Sequence, residues 1–444
     1  MAELRLLAMG AAACLALGSA GCGEQEPPIR VAVLTECIGT LEASKESILA
    51  AAQLPFIERG ARLRGTDPAA GLEGASFGGR PVEMLVGCTL VSNLSGLIIE
   101  VRRLIESGGA DVVVGPVGDT EGIIVRRLAA RYPNVTFVLG ASGAQATTLS
   151  DPQPNLFRFV ADGAQKTAGL AAHAYTGLGW RRAALVMDPP PHSWESAAGF
   201  VAEFCARGGT VVSRHVLLAG LAPGGEAADR ELGARLAREV DGTLLIATSF
   251  SPAQFLRAYR RRTTRLPQRL VVNGFAFARP GGLSPGRVDL SGVVLGGDVP
   301  LTSERPQWRR QEQAYARAFP QLRPDSAHGP LEFAPYMAAE ALARALERVD
   351  GDMGRDGGRL RTALSKVAFD GPAGPVRLDR NRQAIVSVHL RRIEGRGRRA
   401  RTVPFQVVEE VDQSFGGAFD AGTPAPSFES PKCRRGPVPA WAAG

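Results

Sequence analysis

The side chains able to do chemistry in this chain are few and scattered. The six cysteines form no Cys-x-x-Cys pair, and His173, His192, His215, His328 and His389 lie far apart, so neither a metal site nor a cofactor is expected. Ser142 follows the apolar run VTFVLG and sits between Ala141 and Gly143, the setting of a nucleophile on a sharp strand-to-helix turn. The Gly-x-Ser-x-Gly pattern of that turn is not met, because position 144 is alanine. A base would have to be His328 or His389, and His389 falls in an alternating strand on what reads as the solvated face. A serine hydrolase is therefore the weaker reading, and the chain is not expected to be an enzyme.

The cysteines say more. Leu6 to Leu17 form an apolar run too short to span a bilayer, with Arg5 before it and Gly18, Ser19, Ala20 and Gly21 after it. Residues 1–21 thus read as a secretory signal. The Ser-Ala-Gly-Cys end resembles a bacterial lipobox, which implies a lipid on Cys22 and a tether over residues 22–28. Ser19 in place of the usual leucine departs from that pattern, and an ordinary secreted protein cut near Ala20 is the alternative. Export would leave Cys37, Cys88, Cys205 and Cys433 in an oxidising compartment. Cys37 ends RVAVLTEC and Cys88 ends VEMLVGC, and strands in parallel register would bring the two within bridging reach. By elimination Cys205, in the helical GFVAEFCARGG, pairs with Cys433 in the Pro-rich tail. Four free thiols remain the alternative.

These residues hang on an alternating scaffold. At 45% hydrophobic and 22% charged residues, the composition is that of globular protein, and no apolar run beyond residue 22 is long enough for a membrane span. The net charge of +8 comes almost wholly from arginine, only Lys45, Lys166, Lys366 and Lys432 being lysine, and reads as compositional bias rather than a nucleic-acid surface. Strand runs such as RVAVLTEC, PVEMLVGC and ADVVVGPV alternate with helical segments. In the best of these, Leu94, Leu97, Ile98, Val101, Leu104 and Ile105 keep the helical period. The same order recurs from RAALVMD through TVVSRHVLL and GTLLIATS to QRLVVNGF, which predicts two doubly wound α/β lobes, each binding beyond the carboxyl ends of its strands. Three later helices and the strand VSVHLRRI are too little for a third lobe and return to complete the first two.

The leader, IRVAVLTE, ADVVVGPVGDTEG, VTFVLGASGAQATTL, NLFRFVADGAQKTAGLAAHAYTGLGWRRAALVMD and FDGPAGPVRLDRN together resemble type I periplasmic binding proteins over about Ile29 to Ile393. The nearest branch is that of the leucine/isoleucine/valine binders. That resemblance implies lobe 1 over 29–157 plus 296–375, lobe 2 over 158–295 plus 376–405, and a tail over 406–444. Three hinge segments would fall near Asn155 to Val160, Val293 to Val299 and Pro375 to Leu378. It further implies a monomer that captures a small polar solute, an amino acid or related compound, in the interlobe cleft and delivers it to an ABC permease. A sensing lipoprotein of the same fold without transport is the alternative.

The same resemblance nominates the ligand residues. On lobe 1 these are Asp119 and Thr120, and Ser142 and Gly143. On lobe 2 they are His192 and Trp194 on the PPPHSW loop, Thr248 and Ser249, and Phe275. Asp119 stands where the family offers a serine to an anion, so it either caps the helix that follows or meets a cationic group. The usual acid after the fourth strand of lobe 2 is missing, and Glu36 and Glu332 are its candidate replacements. The six arginines between Arg391 and Arg401 read as a solvated run, or as contact with anionic headgroups near the tether. The tail is expected to be ordered only where Cys433 pins it.

Overall fold

Valine-rich runs flanked by helices become central parallel strands because both their faces are covered. A computed structural model of the chain describes residues 26–39, 41–90, 93–189, 192–247, 252–278, 282–322 and 329–442. Cys22, Thr248, Ser249 and His328 lie outside them. The first sheet contains β1 (Ile29–Glu36), β2 (Arg80–Thr89), β3 (Val112–Val114), β4 (Thr136–Leu139) and β5 (Leu156–Arg158), in the order β2-β1-β3-β4-β5 and all parallel. Ser76–Phe77 adds an antiparallel edge outside β2. Alternation assigns the faces. Val31 and Val33 join the cluster around α1 (Lys45–Ile57), whereas Ala32 and Leu34 pack against α2 (Leu94–Arg102) and α3 (Asp119–Arg131).

The second sheet repeats this plan with β6 (Arg182–Met187), β7 (Thr210–Val216), β8 (Gly242–Ile246), β9 (Leu270–Asn273) and β10 (Val294–Gly297), in the order β7-β6-β8-β9-β10. Here α4 (His192–Ala206) covers one face, and α5 (Gly225–Glu239) with α6 (Ala253–Arg261) covers the other. The later helices α7 (Pro306–Ala318), α8 (Pro330–Arg348) and α9 (Gly358–Ser365) join α1 in the core of the first lobe. A hairpin of β11 (Phe369–Gly371) and β12 (Gly374–Leu378) then leads into β13 (Ala384–Glu394), antiparallel to β10. The chain therefore crosses between the sheets after β5, after β10 and through β12.

Register explains the first disulfide. Thr35 lies opposite Cys88 in the β1–β2 ladder, so Cys37, just past the end of β1, is bonded to Cys88 with Cα atoms 5.2 Å apart. Cys205 is bonded to Cys433.

Two expectations are corrected. His389 is not on a solvated face: it is buried on β13, with Nε2 2.8 Å from the Ala373 carbonyl, because the β11–β12 hairpin covers it. Nor is the C-terminal region loose. β14 (Arg401–Val411) pairs along β13, and Phe415 and Phe419 are buried beyond it. Their aromatic side chains bury apolar area that glycine and proline content alone does not reveal.

Candidate functional site

The carboxyl ends of the two sheets face one another across a closed seam. On the first lobe, Asp119 opens α3, with Gly118 extended before it. Its side chain is 4% exposed; Oδ1 accepts the N–H of Gly143, and Oδ2 lies 3.3 Å from His192 Nδ1 on the second lobe. Burial pushes the Asp119 carboxyl upward, but His192 and the Gly143 N–H outweigh it and hold it below its ordinary range. Asp119 therefore stays ionised. Thr120 is half-buried beside it.

Ser142 is placed differently from its neighbours. It is wholly buried, its Oγ has no hydrogen-bond partner among the described residues, and it packs so closely on α3 that a Cβ at Gly122 would lie 2.1 Å from that oxygen.

On the second lobe, the first turn of α4 sorts its residues by helical face. His192, Glu195, Ser196 and Gly199 lie at i, i+3, i+4 and i+7 and turn toward the hinge and the first lobe. Trp194 lies off that stripe, half-buried against the core formed by β6 and α4, its indole N–H having no partner among the described residues. Glu195 is a second bridge: its Oε2 accepts the N–H of Gln145, 3.2 Å away, from the loop after β4. Desolvation, then repulsion from Asp119, raise its carboxyl well above the ordinary range. Nothing in the sequence reading singled out Glu195. Its i+3 spacing from His192 is the signal that could have found it.

Beside His192 lies a recess of about 40 Å³ whose lining also includes Lys166, Asn273, Gly274, Asp298 and Pro330. That is room for about one water, whereas small-molecule sites typically enclose about 300 Å³ or more. Asn273 Oδ1 is buried there with no partner among the described residues. Phe275 opens the short helical turn Phe275–Ala278 directly after β9. A larger recess of about 270 Å³ lies apart, on the β11–β13 ribbon beside Phe369, Arg377 and Glu410, and does not include the seam residues.

The two candidate acids are occupied elsewhere. Glu36 accepts the N–H of Leu41 at 3.0 Å and so shapes the loop after its own strand. Glu332 accepts the hydroxyl proton of Ser47 at 2.6 Å, joining α8 to α1.

Behind the seam, the hinge is polar. Arg158, at the end of β5 and wholly buried, donates to Gln383 Oε1 at 2.8 Å, to the Ala144 carbonyl at 2.7 Å and to Thr147. Gln383 in turn donates to the Val160 carbonyl and to Gln165 Oε1. Two of the three crossings are thus tied to each other and to the loop after β4. Burial lowers the guanidinium pKa and raises that of Asp162, while their mutual attraction opposes both shifts.

Two doubly wound lobes, three crossings and a seam closed by side chains from both sides define a hinged, two-lobed solute binder. The chain belongs to the periplasmic binding protein family, whose profile matches residues 28–398. Solved structures agree at the level of fold. An ABC transporter substrate-binding protein from Sphaerobacter thermophilus is 24% identical with a TM-score of 0.73, the alignment covering 87% of this chain and 99% of that one. A solute-binding protein from R. palustris in complex with benzoate is 18% identical with a TM-score of 0.67, covering 86% and 97%. A leucine-binding protein from Thermotoga maritima is 18% identical with a TM-score of 0.66, covering 86% and 99%. No curated protein sequence matches. Family membership implies an extracytoplasmic location, and among the described residues no helix is long and apolar enough to cross a membrane.

Proposed function

We propose that this chain is a monomeric, lipid-anchored binder that captures an amino acid or a related small polar compound between its lobes and presents it to an ABC permease. The observation that carries this reading is the ionised Asp119 at the mouth of α3, facing His192 across the seam. An ionised, largely desolvated carboxylate is suited to an ammonium group, since charge-assisted hydrogen bonds are the stronger ones. Entry of a solute requires the lobes to part, because the present recess is too small. Closure is then favoured only to the extent that the solute touches both walls better than they touch each other. Proteins of this fold include a benzoate-bound one and a leucine-binding one, so the panel that tests the reading contains both classes. The mature protein is screened by thermal shift against amino acids, amides and benzoates. Stabilisation by an ammonium-bearing compound, lost in Asp119→Asn, is expected; stabilisation by benzoates alone would sink the ammonium assignment. Detergent partitioning of wild type against Cys22→Ala tests the anchor.

A further inference from the structure

We propose that the C-terminal extension, residues 401–442, is a clamp across the hinge that limits how far the lobes part, and that Gln413 is its positioning residue. The inference rests on the reading of a hinged, two-lobed binder and adds a restraint to it. The family profile ends at residue 398, just before this segment.

One side of the segment is fixed to the second lobe. β14 pairs with β13 from Val386 opposite Val411 to Glu394 opposite Arg401. Further on, Cys433 is bonded to Cys205 on α4, and Arg214 on β7 donates to the Phe428 carbonyl at 2.9 Å. Its other side reaches the first lobe at one loop. Gln413 is 1% exposed, and its Nε2 donates to Thr148 Oγ1 at 2.8 Å and to the Gln145 carbonyl at 3.4 Å, both on the loop after β4. The same nitrogen donates to Asp162 Oδ2, on the first crossing, at 3.0 Å. Phe415 and Phe419 share a buried cluster with Leu149 from that loop and with Ala164, Ala168 and Ala198.

The consequence follows from where the loop leads. Gln145 is also the residue whose N–H meets Glu195 across the seam. Swinging the lobes apart drags residues 145–149 away from α4 and β13, which either breaks the Gln413 bonds and exposes Phe415, or is stopped by them. Cores and buried hydrogen-bond sets are discrete rather than continuously deformable, so the segment acts as a stop.

The test measures distances between ketone-reactive spin labels on unnatural residues at Arg127, on α3, and Arg230, on α5, in the oxidised full-length protein without solute. Gln413→Ala and, separately, the double variant Cys205→Ser with Cys433→Ser are each expected to shift the distribution to longer separations. Gln413→Met, which keeps the length and cannot donate, should behave like alanine, whereas a merely structural role would lower the melting temperature and leave the distances alone. Asp119→Asn is the control for motion itself. Lengthening there but in none of the clamp variants overturns the clamp and leaves the hinge reading intact. No lengthening in any variant refutes the clamp together with the hinge motion it rests on.

Discussion

Asp119 on the first lobe and His192 on the second stand 3.3 Å apart across a seam where the carboxylate is almost wholly desolvated. The two walls therefore meet each other at this point, and a solute that binds here competes with this contact before it gains anything.

Asp119→Asn keeps the amide oxygen that Gly143 needs and deletes the charge. If an ammonium group binds there, its ion pair is replaced by a bond to a neutral oxygen, a loss of about 1–2 kcal/mol or roughly 5- to 30-fold in affinity. Calorimetry with the solute found by thermal shift checks this, and unchanged affinity would move the ammonium elsewhere.

Ser142 and Gly122 give a prediction about packing. Alanine in place of a helical glycine ordinarily gains up to about 1 kcal/mol. At Gly122 the added methyl would sit 2.1 Å from Ser142 Oγ, and overpacking of that kind costs about 1–3 kcal/mol. Gly122→Ala should thus lower stability in urea titrations. Ser142→Ala alone should be neutral or slightly stabilising, since its hydroxyl has no partner to lose, and the double variant should recover much of the loss. Additive effects in the double variant would mean the two side chains do not meet.

What the sequence made legible follows from what periodicity reports. Apolar runs located β1 through β4 and β6 through β10, and parallel register brought Cys37 to Cys88. Periodicity does not say which charged residue is taken inside. Glu195 reads as an ordinary first-turn acid, Arg158 as a strand-end cation and Gln413 as tail. Each is buried only because two or three distant segments converge on it, a tertiary fact that no local window contains. His389 misled for a related reason: a polar residue at an alternating position is solvated only if nothing lies over that face.

Glu203 and His389 should make stability respond to pH in opposite directions. Glu203 is buried on α4, accepts the N–H groups of Gly169 and Ala172, and is pushed up by burial to about 7 from 4.5. A raised carboxyl pKa favours the fold most below about pH 4.5 and loses that contribution as pH rises to about 7. Burial lowers His389 from 6.5 to about 4, so its contribution is full above about 6.5 and is lost as pH falls toward 4. Each shift is worth about 3 kcal/mol at one unit per 1.36 kcal/mol, so the two largely cancel between about pH 4.5 and 6.5. Melting curves of Glu203→Gln should rise with pH across that window relative to wild type, and those of His389→Gln should fall. Parallel curves would show that neither group titrates as its burial implies.

Arg158 provides the most severe test of the hinge. Its guanidinium is wholly buried, yet among the described residues no carboxylate accepts from it; it donates to the Gln383, Thr147 and Thr148 side chains and the Ala144 carbonyl. Its charge instead offsets Asp162, Asp119 and Glu195 at longer range. Arg158→Met fills similar volume but strands those acceptors and leaves the buried acids without their cation, which by analogy with broken buried pairs costs about 3–5 kcal/mol. Neutralising Asp162 as well, in Arg158→Met with Asp162→Asn, should restore part of the loss, because one uncompensated charge is then removed and the remaining amide oxygen can keep one of the two bonds that Gln165 and Gln413 donate. Urea unfolding at neutral pH measures both. A single variant as stable as wild type, or a double variant worse than the sum of its parts, would show that the guanidinium serves as a hydrogen-bond spacer between the crossings and not as the counter-charge of the hinge.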